Sequence, residues 1–446
     1  MKKMIGLLAF CAAAAVATAA PRKSTKIVPR EALPALIPAP QRVEVTGPYR
    51  MPLLNVKVRI DSTLDLPAEG YVLETYKKGV RITARDEQGA VWARQTLRQL
   101  TDARGLVPSV RIVDWPAFGW RGFMHDTGRN FIPVDTLKRH LDLLSRYKIN
   151  LFHWHLTDYP AWRIESRAFP RLNDPVYQRP GRDVGKFYTY GEIRDVIAYA
   201  RRRGIRVVPE IDMPGHSAYF NSAFGFGMAD PRGMRVLERA LNEFFEEIPV
   251  EDAPWVHIGS DEVHIPNPTE FMRWADSVVR AAGRVPMVWD PGLTPASTGT
   301  IRQVWSEAPG YVADQTAGRG PFVDSYMGYL NNYDPISFTP RMLLHAPCGR
   351  AQGDSVALGG ILCLWNDTKA PDQLGIVRNS SLWSGLLPFT ERLWHGGAVP
   401  EGAPVNPNLF PDPDSPAGEA LTEFEGRMEA HKRGILAGEP FCWWPN

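Results

Sequence analysis

Residues 121–158 read RGFMHDTGRNFIPVDTLKRHLDLLSRYKINLFHWHLTD. An apolar run at 122–125 gives way to a polar bend, then to an amphipathic stretch at 135–147, then to a second apolar run at 150–156. Short apolar runs read as strands covered on both faces, and the helical period between them makes the unit strand, helix, strand. Strands joined through a helix lie parallel, because the chain must cross back over the sheet before the next strand begins.

The same alternation continues downstream. Further strand-like runs fall at 206–211, 255–259, 286–289, 301–305, 322–326 and 360–365. Helical patterns lie at 192–203, 232–247 and 269–282, with a last one from about 381 to 394. Eight strands over about 280 residues match the size of a (β/α)8 TIM-type barrel, placed at 116–396. Before Trp115 and Pro116 the chain has strand-like runs at 56–60 and 80–84 and one helical stretch at 90–100, which predicts a small α+β domain over 30–115. A proline-rich stretch at 399–417 leads to a terminal helix, so 397–446 is expected to be linker and helix.

The chain has 446 residues, 44% hydrophobic and 22% charged, enough apolar material for a full core. Its net charge of +2 comes from Lys2 and Lys3; without them 49 basic residues face 49 acidic ones. Nucleic acid and anionic membrane surfaces are poor partners for such a chain, since both call for a basic footprint. Residues 1–20, MKKMIGLLAFCAAAAVATAA, join a basic start, a short apolar run and a small-residue Ala17-Thr18-Ala19 site, the pattern of a secretory signal peptide. Export to the periplasm or the exterior is expected, and no later run is long and apolar enough for a membrane span. Cys348, Cys363 and Cys442 have no spacing that suggests a thiolate zinc site or a disulfide framework, although one pair could close.

In a barrel of this kind the chemistry sits at the C-terminal strand ends. There the sequence offers Asp158, then Asp212 and His216, then the adjacent carboxylates Asp261 and Glu262. Trp289 and Trp305 close the fifth and sixth runs, Tyr329 and Asn331 follow the seventh, and Trp365 and Asp367 the eighth. Carboxylates accept hydrogen bonds from hydroxyls and tryptophan offers an apolar face to sugar C–H groups, so this set fits a carbohydrate pocket. Breaking a glycosidic bond requires a proton donor to the leaving oxygen, and two close carboxylates resist joint ionisation, which keeps one of them protonated. Asp261 and Glu262 are therefore the candidate catalytic pair.

The segment at 121–158, together with GIRVVPEIDMPGH (204–216), WVHIGSDE (255–262) and ERLW (391–394), closely resembles glycoside hydrolase family 20, the β-N-acetylhexosaminidases. The resemblance runs from about residue 36 to 395. It implies an exo-acting enzyme that releases terminal β-linked GlcNAc or GalNAc from a glycan with retention of configuration. The implied catalysis is substrate-assisted: the acetamido oxygen attacks the anomeric carbon to form an oxazolinium, with no protein nucleophile, cofactor or metal. By similarity Glu262 is the general acid/base and Asp261 orients the acetamido group. Arg121 is implied at O3 and O4, Asp158 and His216 behind Glu262, and Trp289, Trp305 and Trp365 as pocket walls. Tyr329 would donate to the acetamido oxygen, with Asn331 nearby, and Asp367 would meet O4 or O6. Four positions depart from the family pattern: Asn130 for histidine, Tyr159 for aspartate, Ser260 for glycine and Asp367 for glutamate.

Two readings from other classes stay open. His153-x-His155 puts two imidazoles on one strand face, with Asp158, His216 and His257 as further ligands for a metal-dependent hydrolase. A non-catalytic glycan-binding protein on the same scaffold is the other. Within the family, lacto-N-biosidase-like release of a disaccharide is the alternative.

Overall fold

The structure, a computed structural model, describes residues 33–306, 320–331, 335–367 and 382–439. The signal-like segment at 1–20 and Cys442 lie outside these residues. The N-terminal unit is a five-stranded sheet made of β1 (Arg42–Pro52), β2 (Val56–Ile60), β3 (Tyr71–Tyr76), β4 (Gly79–Ala84) and β5 (Leu106–Asp114), in the order β1-β5-β3-β4-β2. One helix, α1 (Glu87–Leu100), packs on it. Alternation along β3 buries Tyr71, Leu73 and Thr75 and turns Val72, Glu74 and Tyr76 outward, so one face of the sheet is left to meet Trp92 and Leu97 of α1.

The barrel begins with β6 (Trp120–Asp126), α2 (Val134–Arg146) and β7 (Leu151–His155), the unit read from the opening stretch. A small hairpin, β8 (Thr157–Asp158) and β9 (Ala161–Trp162), precedes α3 (Tyr190–Arg201) and β10 (Arg206–Glu210). Then come α4 (Ala218–Phe224), α5 (Pro231–Glu247), β11 (Trp255–His257), α6 (Pro268–Ala281), β12 (Val285–Asp290), β13 (Ile301–Val304) and β14 (Phe322–Asp324). The chain continues through α7 (Pro335–Leu343), β15 (Ala357–Leu364), α8 (Leu382–His395) and α9 (Pro416–Arg433). Eight strands close in the order β10-β11-β12-β13-β14-β15-β6-β7, and every pair is parallel. Each overlaps one of the eight predicted runs.

Helix starts follow local chemistry. Thr189 and Glu192 form a reciprocal capping box on α3, and the Asp230 side chain accepts from the Arg232 N–H at the start of α5. Leu137, Leu141 and Leu144 make the buried stripe of α2. Inside the barrel, alternate positions of each strand point to the axis. Leu151, Val208, Met287, Val323 and Ile361 fill the interior, and His153, His155, Glu210 and His257 share it as polar members.

The ERLW motif joins the two units. Trp394 is fully buried and belongs to the core cluster of the small domain; its indole N–H donates to Asp114 at 2.8 Å. Lys148 lies 2.8 Å from the same carboxylate and 4.0 Å above the Trp394 ring. Glu391 accepts from the Ala39 N–H and from Arg427 of α9. The motif is thus structural, tying the barrel to the strand-and-helix unit before it and the helix after it.

Candidate active site

The C-terminal mouth of the barrel holds a cavity of about 270 Å³. One wall is acidic. Glu262 projects into it with 59% of its side chain exposed, and His216 Nε2 stands 3.4 Å from its carboxylate. The other nitrogen of His216 faces Asp158 at 3.8 Å. Asp158 is fully buried and held from three directions: by His155 Nε2 at 2.9 Å, by Arg129 at 3.1 Å and by the Tyr159 N–H at 2.6 Å.

Behind Asp158 lies a buried carboxylate, Glu210 at the end of β10, that collects polar groups from three strands, β7, β12 and, through His257 Nδ1 at 3.2 Å, β11. His155 Nδ1 meets it at 2.5 Å, His153 Nε2 at 2.8 Å, and the Trp289 indole N–H donates to it at 2.7 Å. Burial disfavours the His155 cation, but contacts with Glu210 and Asp158 on its two nitrogens outweigh that and hold its pKa well above the usual value. For Glu210 burial acts upward and the surrounding histidines downward; the histidines win. The pair is an imidazolium and a carboxylate beneath the cavity floor.

The strand β11 ends in a tight turn. Gly259, Ser260 and Glu262 all have positive φ, which rotates Asp261 and Glu262 toward one cavity instead of opposite faces. Glycine is required at 259, where a Cβ would collide with the Asp212 carboxylate. Ser260 sits at φ +89° without glycine's freedom, a local strain at this turn. Asp261 is 8% exposed, and burial first, then Glu210 and Glu262 against an opposing His216, pushes its pKa up to about 6. Asp212 is raised further by burial and by Asp261 itself. The sequence points to repulsion between Asp261 and Glu262; in the structure the crowded buried pair is Asp212 and Asp261.

The opposite wall is aromatic. Trp305 and Tyr329 stack with ring centroids 6.0 Å apart and planes 8° from parallel, and Tyr329 meets Trp365 at 5.8 Å. At the rim, Asp367 accepts from the Asn331 amide at 2.6 Å and lies 3.8 Å from Arg129, whose guanidinium covers the Trp365 ring at 5.0 Å.

Three residues stand elsewhere than expected. Arg121 is not in the cavity. It starts β6, so it lies at the opposite end of the barrel, where it is fully buried between Trp92 and Trp394 and bonded to Glu69, to the Lys148 carbonyl and to the Phe118 carbonyl. Trp289 is 1% exposed and lies under the floor, packed against Trp365 at 5.6 Å and committed to Glu210. Asn331 is not part of the lining and reaches the site by holding Asp367. The arginine that does line the cavity is Arg129, which sequence reasoning passed over although it follows the first strand as Asp158 follows the second. Glu210 was missed because a carboxylate inside a strand gives no sign of three histidine and tryptophan partners from other strands.

Among the described residues, three side-chain groups could be asked to hold a metal. His153, Glu210 and His257 bring ligand atoms within 4.8 Å of one another, as do Asp212, His216 and Asp261, and so do the buried His155, Asp158 and Asp212. In the first group the His153 and His257 rings stack 4.7 Å apart, with His153 Nε2 at 2.8 Å and His257 Nδ1 at 3.2 Å from the Glu210 carboxylate. The second faces the cavity and coincides with the acid groups already described.

A closed (β/α)8 barrel with a cup of carboxylates, one histidine and an aromatic wall has the architecture and the kind of site that barrel glycoside hydrolases use. The family model described as glycosyl hydrolase family 20, catalytic domain, matches residues 118–230, and that described as domain 2 of the family matches 49–115. Over these two regions the chain matches glycoside hydrolase family 20. A beta-hexosaminidase of Porphyromonas gingivalis is 37% identical over 238 residues, 46% of this chain and 31% of that protein. A beta-N-acetylhexosaminidase of Cellulomonas fimi is 34% identical over 295 residues, 60% of this chain and 58% of that one. The chain thus spans from 31% to 58% of the length of these relatives. In fold it is similar to a beta-N-acetylhexosaminidase of Bacteroides fragilis, with a TM-score of 0.74 at 22% identity covering 92% of this chain and 97% of that one. The GH20 exo beta-N-acetylglucosaminidase of Vibrio harveyi, in its inactive D437A mutant form, superposes with a TM-score of 0.76 at 21% identity, covering 96% and 81%.

Proposed function

We propose that the protein is an exo-acting β-N-acetylhexosaminidase that releases terminal β-linked GlcNAc or GalNAc from glycans with retention. The observation that carries this reading is the line of contact Asp158, His216, Glu262 beside the buried carboxylate of Asp261. Glu262, the exposed member, gives its proton to the leaving oxygen as the bond to the anomeric carbon breaks. The substrate's acetamido oxygen forms the new bond to that carbon, and the Asp261 carboxylate accepts from the acetamido N–H and balances the positive charge that develops there. Water then attacks the anomeric carbon, losing a proton to Glu262, and the oxazolinium opens; two inversions leave the configuration retained. His216, backed by Asp158, orients the Glu262 carboxyl through both half-reactions. Trp305, Tyr329 and Trp365 supply the apolar faces against which a pyranose stacks. We also propose that residues 1–20 direct export, which would bring the enzyme to extracellular or periplasmic glycans.

The test is hydrolysis of matched aryl β-GlcNAc, β-GalNAc and β-glucoside substrates by the mature protein, with and without chelator. Cleavage that requires the 2-acetamido group and ignores the chelator is expected. Equal cleavage of the glucoside, or loss of activity on chelation, overturns the substrate-assisted mechanism.

A further inference from the structure

The loop between β9 and α3 reaches across the mouth of the barrel to the end of β15. Arg182 on that loop is 8% exposed and donates to two main-chain carbonyls beyond β15: to Asn366 at 3.1 Å and to Asp367 at 2.7 Å. The first of those nitrogens also donates to the Asn130 side-chain oxygen at 3.0 Å. Asn366 is fixed independently, its N–H and its amide both donating to Asp126 at the end of β6. The loop is itself pinned from below by Arg163, fully buried, which donates to the carbonyls of Gly128, Arg182, Asp183 and Lys186. A guanidinium with fixed fork geometry thus holds the two main-chain carbonyls that flank the Cα of Asp367.

Contacts around the cavity give Asp367 its place in the site. From Asp367 they run to Arg129 at 3.8 Å, from Arg129 to Asp158 at 3.1 Å, from Asp158 to His216 at 3.8 Å and from His216 to Glu262 at 3.4 Å. Asp367 is the far end of this line from the proton donor. With C1 of a pyranose at Glu262, the opposite side of the ring carries O4, whose axial or equatorial direction distinguishes GalNAc from GlcNAc.

We infer that Asn130 and Arg182 form a clamp that positions Asp367, and that the clamp sets discrimination at O4 of the terminal sugar. Arg182 is a positioning residue, since it acts on the Asp367 main chain and does not line the cavity. Asn130 orients the guanidinium by accepting from it. The clamp rests on the hexosaminidase reading above, because only with a sugar ring between Glu262 and Asp367 does its geometry select a hydroxyl.

The experiment compares aryl β-GlcNAc and aryl β-GalNAc hydrolysis by the parental protein, Arg182→Ala, Asn130→Ala and Asp367→Asn, with binding of free GlcNAc and GalNAc followed by tryptophan fluorescence. Arg182→Ala is expected to change the GlcNAc to GalNAc ratio of kcat/KM at least about tenfold, mainly through KM, in the same direction as Asp367→Asn. Asn130→Ala, which leaves both carbonyl contacts available, is expected to give a smaller shift of the same sign. Combining Arg182→Ala with Asp367→Asn should add little to either, since both act through one carboxylate. An unchanged ratio in a folded Arg182→Ala protein overturns the clamp, and should that variant fail to fold, an unchanged ratio in Asn130→Ala does so. A parental protein that cleaves neither substrate yet binds the sugars overturns the hydrolase reading, and the clamp is then decided by the ratio of the two binding constants. A parental protein that neither cleaves nor binds overturns both.

Discussion

Asp212 and Asp261 are two buried carboxylates on one cavity, and among the described residues each has one oxygen with no hydrogen-bond partner. Two such groups stay close only at a cost, and the cost falls where a cationic intermediate would need negative charge. Folded Asp261 keeps its proton up to about pH 6, while the unfolded chain loses it near 3.8. Between those values the folded state binds more protons, so this group's contribution to stability falls as pH rises and the penalty is complete above pH 6. Asp261→Asn should therefore stabilise the protein by about 2 kcal/mol at pH 7.5 and have little effect at pH 4, read by thermal unfolding at both pH values. It should also lower kcat on N-acetyl substrates by about 100-fold or more. Parental kcat would remove Asp261 from the mechanism.

In the parental enzyme the same titration should appear as an acid limb. Activity is expected to fall as pH drops through about 6, with the apparent midpoint belonging to the Asp212 and Asp261 pair. A kcat profile that is flat from pH 7 to 5 would contradict the need for an ionised Asp261.

Glu262→Gln keeps the shape of the acid and removes its proton. On substrates with poor leaving groups kcat should drop by about 10² to 10⁴, while an activated aryl leaving group, which needs less protonation, should lose less. Near-normal hydrolysis of an unactivated disaccharide by this variant would sink the assignment.

The two arginines near β6 should part company. Arg129→Ala opens the contact between Asp158 and Asp367 and is expected to reduce kcat/KM by about 100-fold or more. Arg121→Ala leaves the cavity intact but strands Glu69 at the foot of the barrel, so it should cost about 3 kcal/mol of stability with KM close to parental. Folded Arg121→Ala protein with KM raised tenfold would return Arg121 to the site.

Acid lability should trace partly to His125, on β6 in contact with His140 at 5.4 Å. Burial, with the neighbouring His140, lowers its pKa to about 3, and among the described residues neither ring nitrogen has a partner. The unfolded chain takes up this proton near pH 6.5 and the folded chain does not, so stability is lost as pH falls from 6.5 toward 3 by up to about 1.4 kcal/mol per pH unit. His125→Phe should flatten the decline of Tm between pH 6.5 and 4.5. An identical slope would assign the lability elsewhere.

The sequence by itself determined the barrel, because a strand buried on both faces leaves a continuous apolar run and a helix leaves a period of 3.6, and both are local signals. It also determined the cluster of Asp158, His216, Asp261 and Glu262, since the C-terminal end of each strand is a shared address in a parallel barrel. What the tertiary structure decided was everything that depends on which way a side chain turns and whom it meets. Arg121 and Arg129 flank the same strand, but one end of that strand faces the small domain and the other the cavity. Trp289 ends a strand as Trp305 does, yet it lies beneath the cavity because Glu210, from another strand, receives its indole. Asp212 and Asp261 become the strained pair only where two strand ends converge, and Arg182 becomes a clamp only where one loop crosses to another strand. Those contacts join residues tens to hundreds of positions apart, and no local periodicity records them.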